Sequence, residues 1–205
     1  PQLIAGPIVR CGEMIPQFSN RRNQRPQLDN IAFGIMLFAI GLFKKAVLAD
    51  SFAQWVTPAF DTATVLTFFE AWGASLSYTF QLYFDFSGYT DMALGIAWMF
   101  NIRLPQNFNS PYKSLSIQEF WQRWHITLGR FLKNYLYIPL GGNRRGMLLN
   151  YRNLFITFLL GGLWHGAAWT FVAWGVLHGL ALGIHRGWRR LGRPLPRPAA
   201  WLLTF

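Results

Sequence analysis

The sequence predicts an all-α fold, a polytopic transmembrane helical bundle with re-entrant or broken helices, and three observations predict it. Apolar side chains make up 52% of the 205 residues and charged ones only 13%, about half the roughly 25% charged share of a soluble domain. Apolar runs close to the roughly 20 residues needed to cross a hydrocarbon core recur along the chain. The basic residues gather between those runs rather than on one amphipathic face.

Arg21, Arg22 and Arg25 precede the first run and Lys44 and Lys45 end it; Arg144, Arg145 and Arg152 precede another, and Arg186, Arg189, Arg190, Arg193 and Arg197 follow the last. The formal charge of +11 therefore reads as loops facing the cytoplasm and lipid phosphates. Nucleic acid is not an expected partner, because no binding motif accompanies the charge. Aromatic residues at 18%, with ten Trp and nineteen Phe, suit membrane interfaces and helix contacts. A lone Cys11 supports neither an internal disulfide nor a zinc site. Because the chain begins at Pro1 and ends in the apolar stretch 199–205, it is read as one membrane-domain fragment, 1–205, of a longer protein with further helices at both ends.

Four prolines among polar residues make 1–30 an irregular entry segment. Residues 31–48 read as a span whose Lys44 and Lys45 can snorkel to the headgroups. A second apolar block at 63–84 can cross; a third at 89–102 is shorter and carries Asp91. Between them, Ser87 and Gly88 are expected to loosen the helix and leave Asp85 and Asp91 at or below the membrane surface, where charges need partners. Residues 104–116 read as a loop. Residues 117–137, with Phe120, Trp121, Arg123, Trp124, His125 and Arg130, read as one helix at the interface or along a wet cavity, and a surface helix without chemistry remains open. The turn PLGGNRRG at 139–146 exposes backbone amides beside Arg144 and Arg145 that can hold an anion, although a plain cytoplasmic turn is the favoured account.

Residues 153–163 amount to about 16 Å of helix, half a bilayer core, and are read as unable to cross alone. GGLWHG at 161–166 then precedes a run at 167–184 that can cross, so His165 is placed at a glycine-weakened junction at membrane depth. An imidazole there suits proton transfer near neutrality, or else simply bonds a carbonyl across a helix contact. On a regular helix His178 would lie some 140° around from His165, so His178 is read as packing or lining and His185 as an interface residue. No paired His at helical spacing and no GxSxG elbow is present, which disfavours a metal centre (metal ligands: none) and a serine nucleophile.

The segments PQLIAGPIVR (1–10), GLFKKAVLAD (41–50), FQLYFDFSGYTDMALG (80–95), LPQNFNSPY (104–112), FWQRWHITLGRFLKNYLYIPLGGNR (120–144) and GGLWHGAAWTFVAWGVLHG (161–179) together resemble the membrane-bound O-acyltransferase family, in its bacterial alginate O-acetylation branch. The resemblance implies a multi-pass protein of the bacterial cytoplasmic (inner) membrane, a helical bundle enclosing a tunnel. It implies His165 as the catalytic residue and His125 as the second functional one, with Trp164, Asp85, Asn143 and Arg144 toward substrate. It implies no permanently bound cofactor and an acyl donor such as acetyl-CoA or another acyl thioester. The acceptor it implies is a hydroxyl of an extracytoplasmic polysaccharide, reached directly or through a partner acetyltransferase protein. A related activity would move D-alanine to teichoic acid; a non-enzymatic transporter or scaffold is the reading from another class. Asn134 departs from the family, many of whose members have Asp there, so no acid role is assigned to it.

Overall fold

The structure is a computed structural model that describes residues 6–144 and 146–205. Arg145 lies outside the described residues. Helices dominate, and no strand occurs among the described residues. The chain divides into two compact units, Pro1–Gln106 and Asn107–Phe205.

In the first unit, α1 (Cys11–Ser19) is a helix in spite of Pro16, correcting the irregular reading of 1–30: Gln17 and Asn23 side chains tie its end to neighbouring carbonyls. The helix α2 runs without interruption over Leu28–Thr62, well beyond the expected end at 48. It contains wider π-type turns at Lys44–Ala49 and Pro58–Thr62. Among the described residues it is the one helix both long and apolar enough to cross a membrane. Thr67 and Glu70 form a capping box that starts α3, a single helix over Phe68–Met99 of about 48 Å.

The break expected at Ser87 and Gly88 does not occur. Those two residues are small for a different reason: α2 and α3 pack antiparallel with their backbones almost touching. A methyl group on Gly34 would sit 2.5 Å from the Gly95 carbonyl oxygen, and one on Gly41 would sit 2.6 Å from that of Gly88. Seven-residue spacing of Gly34 and Gly41, and of Gly88 and Gly95, repeats the contact along one seam, the way small residues bring membrane helices together. Phe52 stacks on Phe80 and Phe84 farther along. The charges expected to need partners have them. Lys44 Nζ meets Asp91 at 2.5 Å, and Lys45 pairs with Asp85 and, at 3.5 Å, with Asp50. The π-type turn at 44–49 holds both lysines against α3. Asn101, in the left-handed conformation at φ 58°, closes the unit by donating to the carbonyls of Asn23 and Arg25 while accepting from Asn30.

The second unit opens with the expected loop, holding only a short turn at Pro111–Lys113. The single helix expected over 117–137 is instead two: α4 (Ile117–Arg123) and α5 (Ile126–Leu132), the latter continued by a π-type turn to Tyr137. They part at Trp124 and His125. Beyond the turn at 139–146, Gly146 at φ 85° permits the entry into α6 (Met147–His165). At 19 residues α6 is about 28 Å long, which corrects the half-bilayer estimate: the helix begins at Met147, six residues before the expected start at Asn153, and Asn153 is buried and donates to the Gly142 carbonyl at 3.1 Å. After a break at 166–168, α7 (Trp169–Arg190) returns antiparallel along α6. Gly162 and Gly175 form the crossing; a methyl on Gly175 would sit 2.6 Å from the Phe158 carbonyl oxygen. A short α8 (Arg197–Leu202) follows.

All seven acidic residues outside Glu119 fall in the first unit, where seven Lys and Arg balance them; the other twelve basic residues lie in the second. The whole excess of +11 therefore belongs to the second unit, and Glu119 is already held by Arg123 at 2.8 Å.

Candidate active site

His125 stands where the chain leaves α4 and enters α5. Its backbone is left-handed, φ 45° and ψ 53°, a conformation that non-glycine residues seldom take and that clusters at functional sites. The loop before α4 holds it there. Asn109 N donates to the Arg123 carbonyl, Ile126 N donates to that of Asn107, and the His125 carbonyl accepts from Gly129 N, beginning α5. The imidazole is buried, with 8% of the residue exposed.

Asn107 decides what that imidazole can do. Its side-chain Oδ1 accepts from the Thr127 amide at 3.2 Å and from Thr127 Oγ1 at 2.9 Å. A backbone N–H can only donate, so this atom is the amide oxygen and not the nitrogen. The same oxygen lies 3.1 Å from His125 Nδ1. Nδ1 must therefore carry the hydrogen, and in the neutral ring Nε2 carries the lone pair. Burial, and next the positive charge His165 can carry, lower the His125 pKa from 6.5 to about 4, which keeps it neutral. The short helices α4 and α5 are far below spanning length.

His165 is the last residue of α6. Its Nδ1 lies 2.7 Å from the carbonyl oxygen of Gly161, one turn back, so Nδ1 again donates and Nε2 keeps its lone pair. The ring is exposed rather than wedged into the core. Rings surround it: Trp164 edge-on at 5.0 Å, Trp174 at 5.2 Å and Phe171 at 6.1 Å. The fold thus brings His125 and His165, 40 positions apart, within electrostatic reach of each other.

The break at 166–168 also overturns the helical-wheel argument about His178. Because α7 folds back, His178 joins the same ring cluster, 4.7 Å from Trp174 and 5.0 Å from Trp121. The other residues singled out in the sequence sit as follows. Trp164 is 60% exposed beside His165; Asn143 and Arg144 are exposed on the turn before α6; and Asp85 is engaged with Lys45 in the first unit. Sequence reasoning missed Asn107. Its signal was present as the first Asn of NFN in an otherwise featureless loop, but nothing local shows that it points at a histidine 18 positions away.

A family model described as the membrane-bound O-acyltransferase family matches residues 1–200. The chain belongs to the membrane-bound O-acyltransferase family. It is 61% identical over 209 residues to the peptidoglycan O-acetyltransferase of Helicobacter pylori, covering 100% of this chain and 40% of that protein. It is 47% identical over 206 residues to the probable alginate O-acetylase AlgI of Pseudomonas aeruginosa, covering 100% of this chain and 39% of that one. A teichoic acid D-alanyltransferase of Streptococcus thermophilus is 28% identical over 201 residues, covering 93% and 48%. The chain thus spans less than half the length of each of these relatives. Both candidate histidines lie in the second unit, on the short-helix segment and at the end of α6.

Proposed function

We propose that the protein transfers an acetyl group from a thioester donor, such as acetyl-CoA reaching it from the cytoplasm, to a hydroxyl of an extracytoplasmic polysaccharide. In this reading the protein crosses the bacterial inner membrane several times, and a partner acetyltransferase outside the membrane relays the group to the polymer. Relatives at 47% and 61% identity, named for O-acetylation of alginate and of peptidoglycan, favour a glycan acceptor over teichoic acid alanylation, whose namesake is 28% identical.

The observation that carries the reading is the pair of imidazoles whose Nδ1 hydrogens are both engaged by carbonyl oxygens. The Nε2 lone pair of His165 takes the proton of the acceptor hydroxyl as its oxygen attacks the thioester carbonyl carbon. A tetrahedral intermediate then collapses, the carbon–sulfur bond breaks, and the proton passes from His165 to the leaving thiolate. His125, neutral and with its N–H bound to Asn107, offers a lone pair as well. That favours orienting a neighbouring acceptor hydroxyl over polarising the donor carbonyl, which needs a hydrogen-bond donor. In this reading the tunnel that the family resemblance implies keeps out water and so limits hydrolysis of the donor. Arg144 and Arg145 are the residues we assign to the donor's phosphates, with Trp164 and Asn143 as further substrate contacts.

The test is His165→Ala in the full-length protein, with expression and folding verified, supplied with labelled acetyl-CoA and membranes bearing the acceptor polymer. Loss of labelled, acetylated polymer is expected. Undiminished labelling rules out the reading, and labelling by D-alanyl carrier instead of acetyl-CoA selects the alanylation alternative.

A further inference from the structure

The rings beside His165 are unevenly supported, and the support singles out Trp174. Phe171 sits over Gly166, where a methyl group would approach its ring to 2.6 Å, and Trp164 is mostly exposed. Trp174 is different. It packs against the His165 ring at 5.2 Å on one side. It is braced from behind by His178 at 4.7 Å and by Trp121 at 5.4 Å, the latter meeting it edge-on at 89°. Trp121 is itself held by Phe158 at 5.2 Å and by His178 at 5.0 Å. Three elements, α4, α6 and α7, thus lock one indole against the reactive imidazole.

A second observation shows that this brace is not arranged for stability alone. The Trp121 indole N–H is buried with no hydrogen-bond partner among the described residues. An unpaired buried donor is disfavoured, and a phenylalanine would supply the ring contacts without it. Only the rigid, two-ring indole gives Trp174 a full-width backing.

We propose that Trp174 is a specificity-determining residue that sets the length of the transferred acyl group. This rests on the reading of His165 as the general base. An acyl carbonyl within reach of the His165 Nε2 projects its chain among the surrounding rings. An acyl chain longer than acetyl that turns toward Trp174 meets an indole held by its neighbours and unable to swing aside. Selection of the acetyl group then follows from steric exclusion rather than from any polar contact.

The experiment uses the full-length protein in membranes, with acetyl-CoA and octanoyl-CoA as competing labelled probes. Wild type, Trp174→Ala and Trp174→Leu are compared, each checked for folding by thermal melting in detergent. Expected is a rise of at least tenfold in the ratio of octanoyl to acetyl transfer for Trp174→Ala, and a smaller rise for Trp174→Leu. Trp121→Phe, which loosens the brace, should move the ratio the same way by less. An unchanged ratio in folded, active Trp174 variants overturns the proposal, and so does loss of all transfer in both variants while they remain folded. If wild type transfers acetyl but the ratio stays fixed, only this inference fails. If His165→Ala still transfers acetyl, the reading beneath it fails as well.

Discussion

The side-chain oxygen of Asn107 lies 3.1 Å from Nδ1 of His125 while also receiving the Thr127 amide at 3.2 Å, so a buried amide 18 positions earlier dictates which imidazole nitrogen holds the proton. Removing that oxygen takes away the acceptor shared by His125 Nδ1, the Thr127 amide and the Thr127 hydroxyl. Asn107→Leu should therefore lower stability by about 3 kcal/mol and acyl transfer roughly 10- to 100-fold. Asn107→Asp, which keeps an acceptor oxygen, should keep more of both. Thermal melting and transfer rates of the full-length variants check this; a Leu variant as active as wild type would remove His125 from the site.

The same imidazole links stability to pH. The unfolded chain binds its proton near 6.5 and the fold only near 4, so between these values the unfolded state holds more protons. The stability contributed by neutral His125 is complete above about pH 6.5 and is lost as pH falls toward 4, by on the order of 3 kcal/mol. His125→Asn should flatten that slope, since Asn tolerates the left-handed backbone and does not titrate. Unfolding midpoints of both proteins from pH 4 to pH 7 measure it, and parallel slopes would contradict the assignment.

Backbone contact between α2 and α3 leaves no room for a side chain. With a new methyl on Gly41 at 2.6 Å from the Gly88 carbonyl oxygen, Gly41→Ala should force the helices apart and cost about 1–3 kcal/mol. Gly73, with nothing near its absent Cβ, is the control, and Gly73→Ala should be neutral or slightly stabilising. Yields of folded protein and melting temperatures report the difference.

Lys44 and Asp91 meet at 2.5 Å with 25% and 20% of their side chains exposed. Lys44→Met strands a carboxylate in an apolar helix pair and should destabilise by about 3 kcal/mol. Adding Asp91→Leu should restore most of that loss. A double variant no more stable than Lys44→Met would show that the pair does not act as a unit.

Part of the fold was legible because long apolar helices announce themselves by composition. The start of the first long helix, the loop at 104–116 and the end of a helix at Gly166 follow from apolar runs and glycines alone, whereas Gly161 and Gly162, expected to weaken the helix, lie within it. What was not legible depends on partners. Gly88 reads as a helix breaker until Gly41 is seen pressed against it, and α6 reads as starting only at Asn153 until that side chain is seen bound to the Gly142 carbonyl of the turn before it. The break between α4 and α5 has no glycine or proline to mark it, because loop hydrogen bonds impose it on Trp124 and His125. For the site, sequence pointed to His125 and His165. The acceptors that set their tautomers, and the fold-back that brings Trp174 and His178 to the cluster, belong to tertiary structure.

The central claim is that the Nε2 of His165 faces the reacting atoms. The most direct measurement is a map of the full-length protein with a non-hydrolysable thioether analogue of the acyl donor bound. The analogue's carbonyl carbon is expected beside His165, with His125 and His165 lining one continuous cavity and space for a hydroxyl between the donor and Nε2. A donor seated elsewhere, with the His165 ring closed off from it by Trp174 or Phe171, would contradict the account.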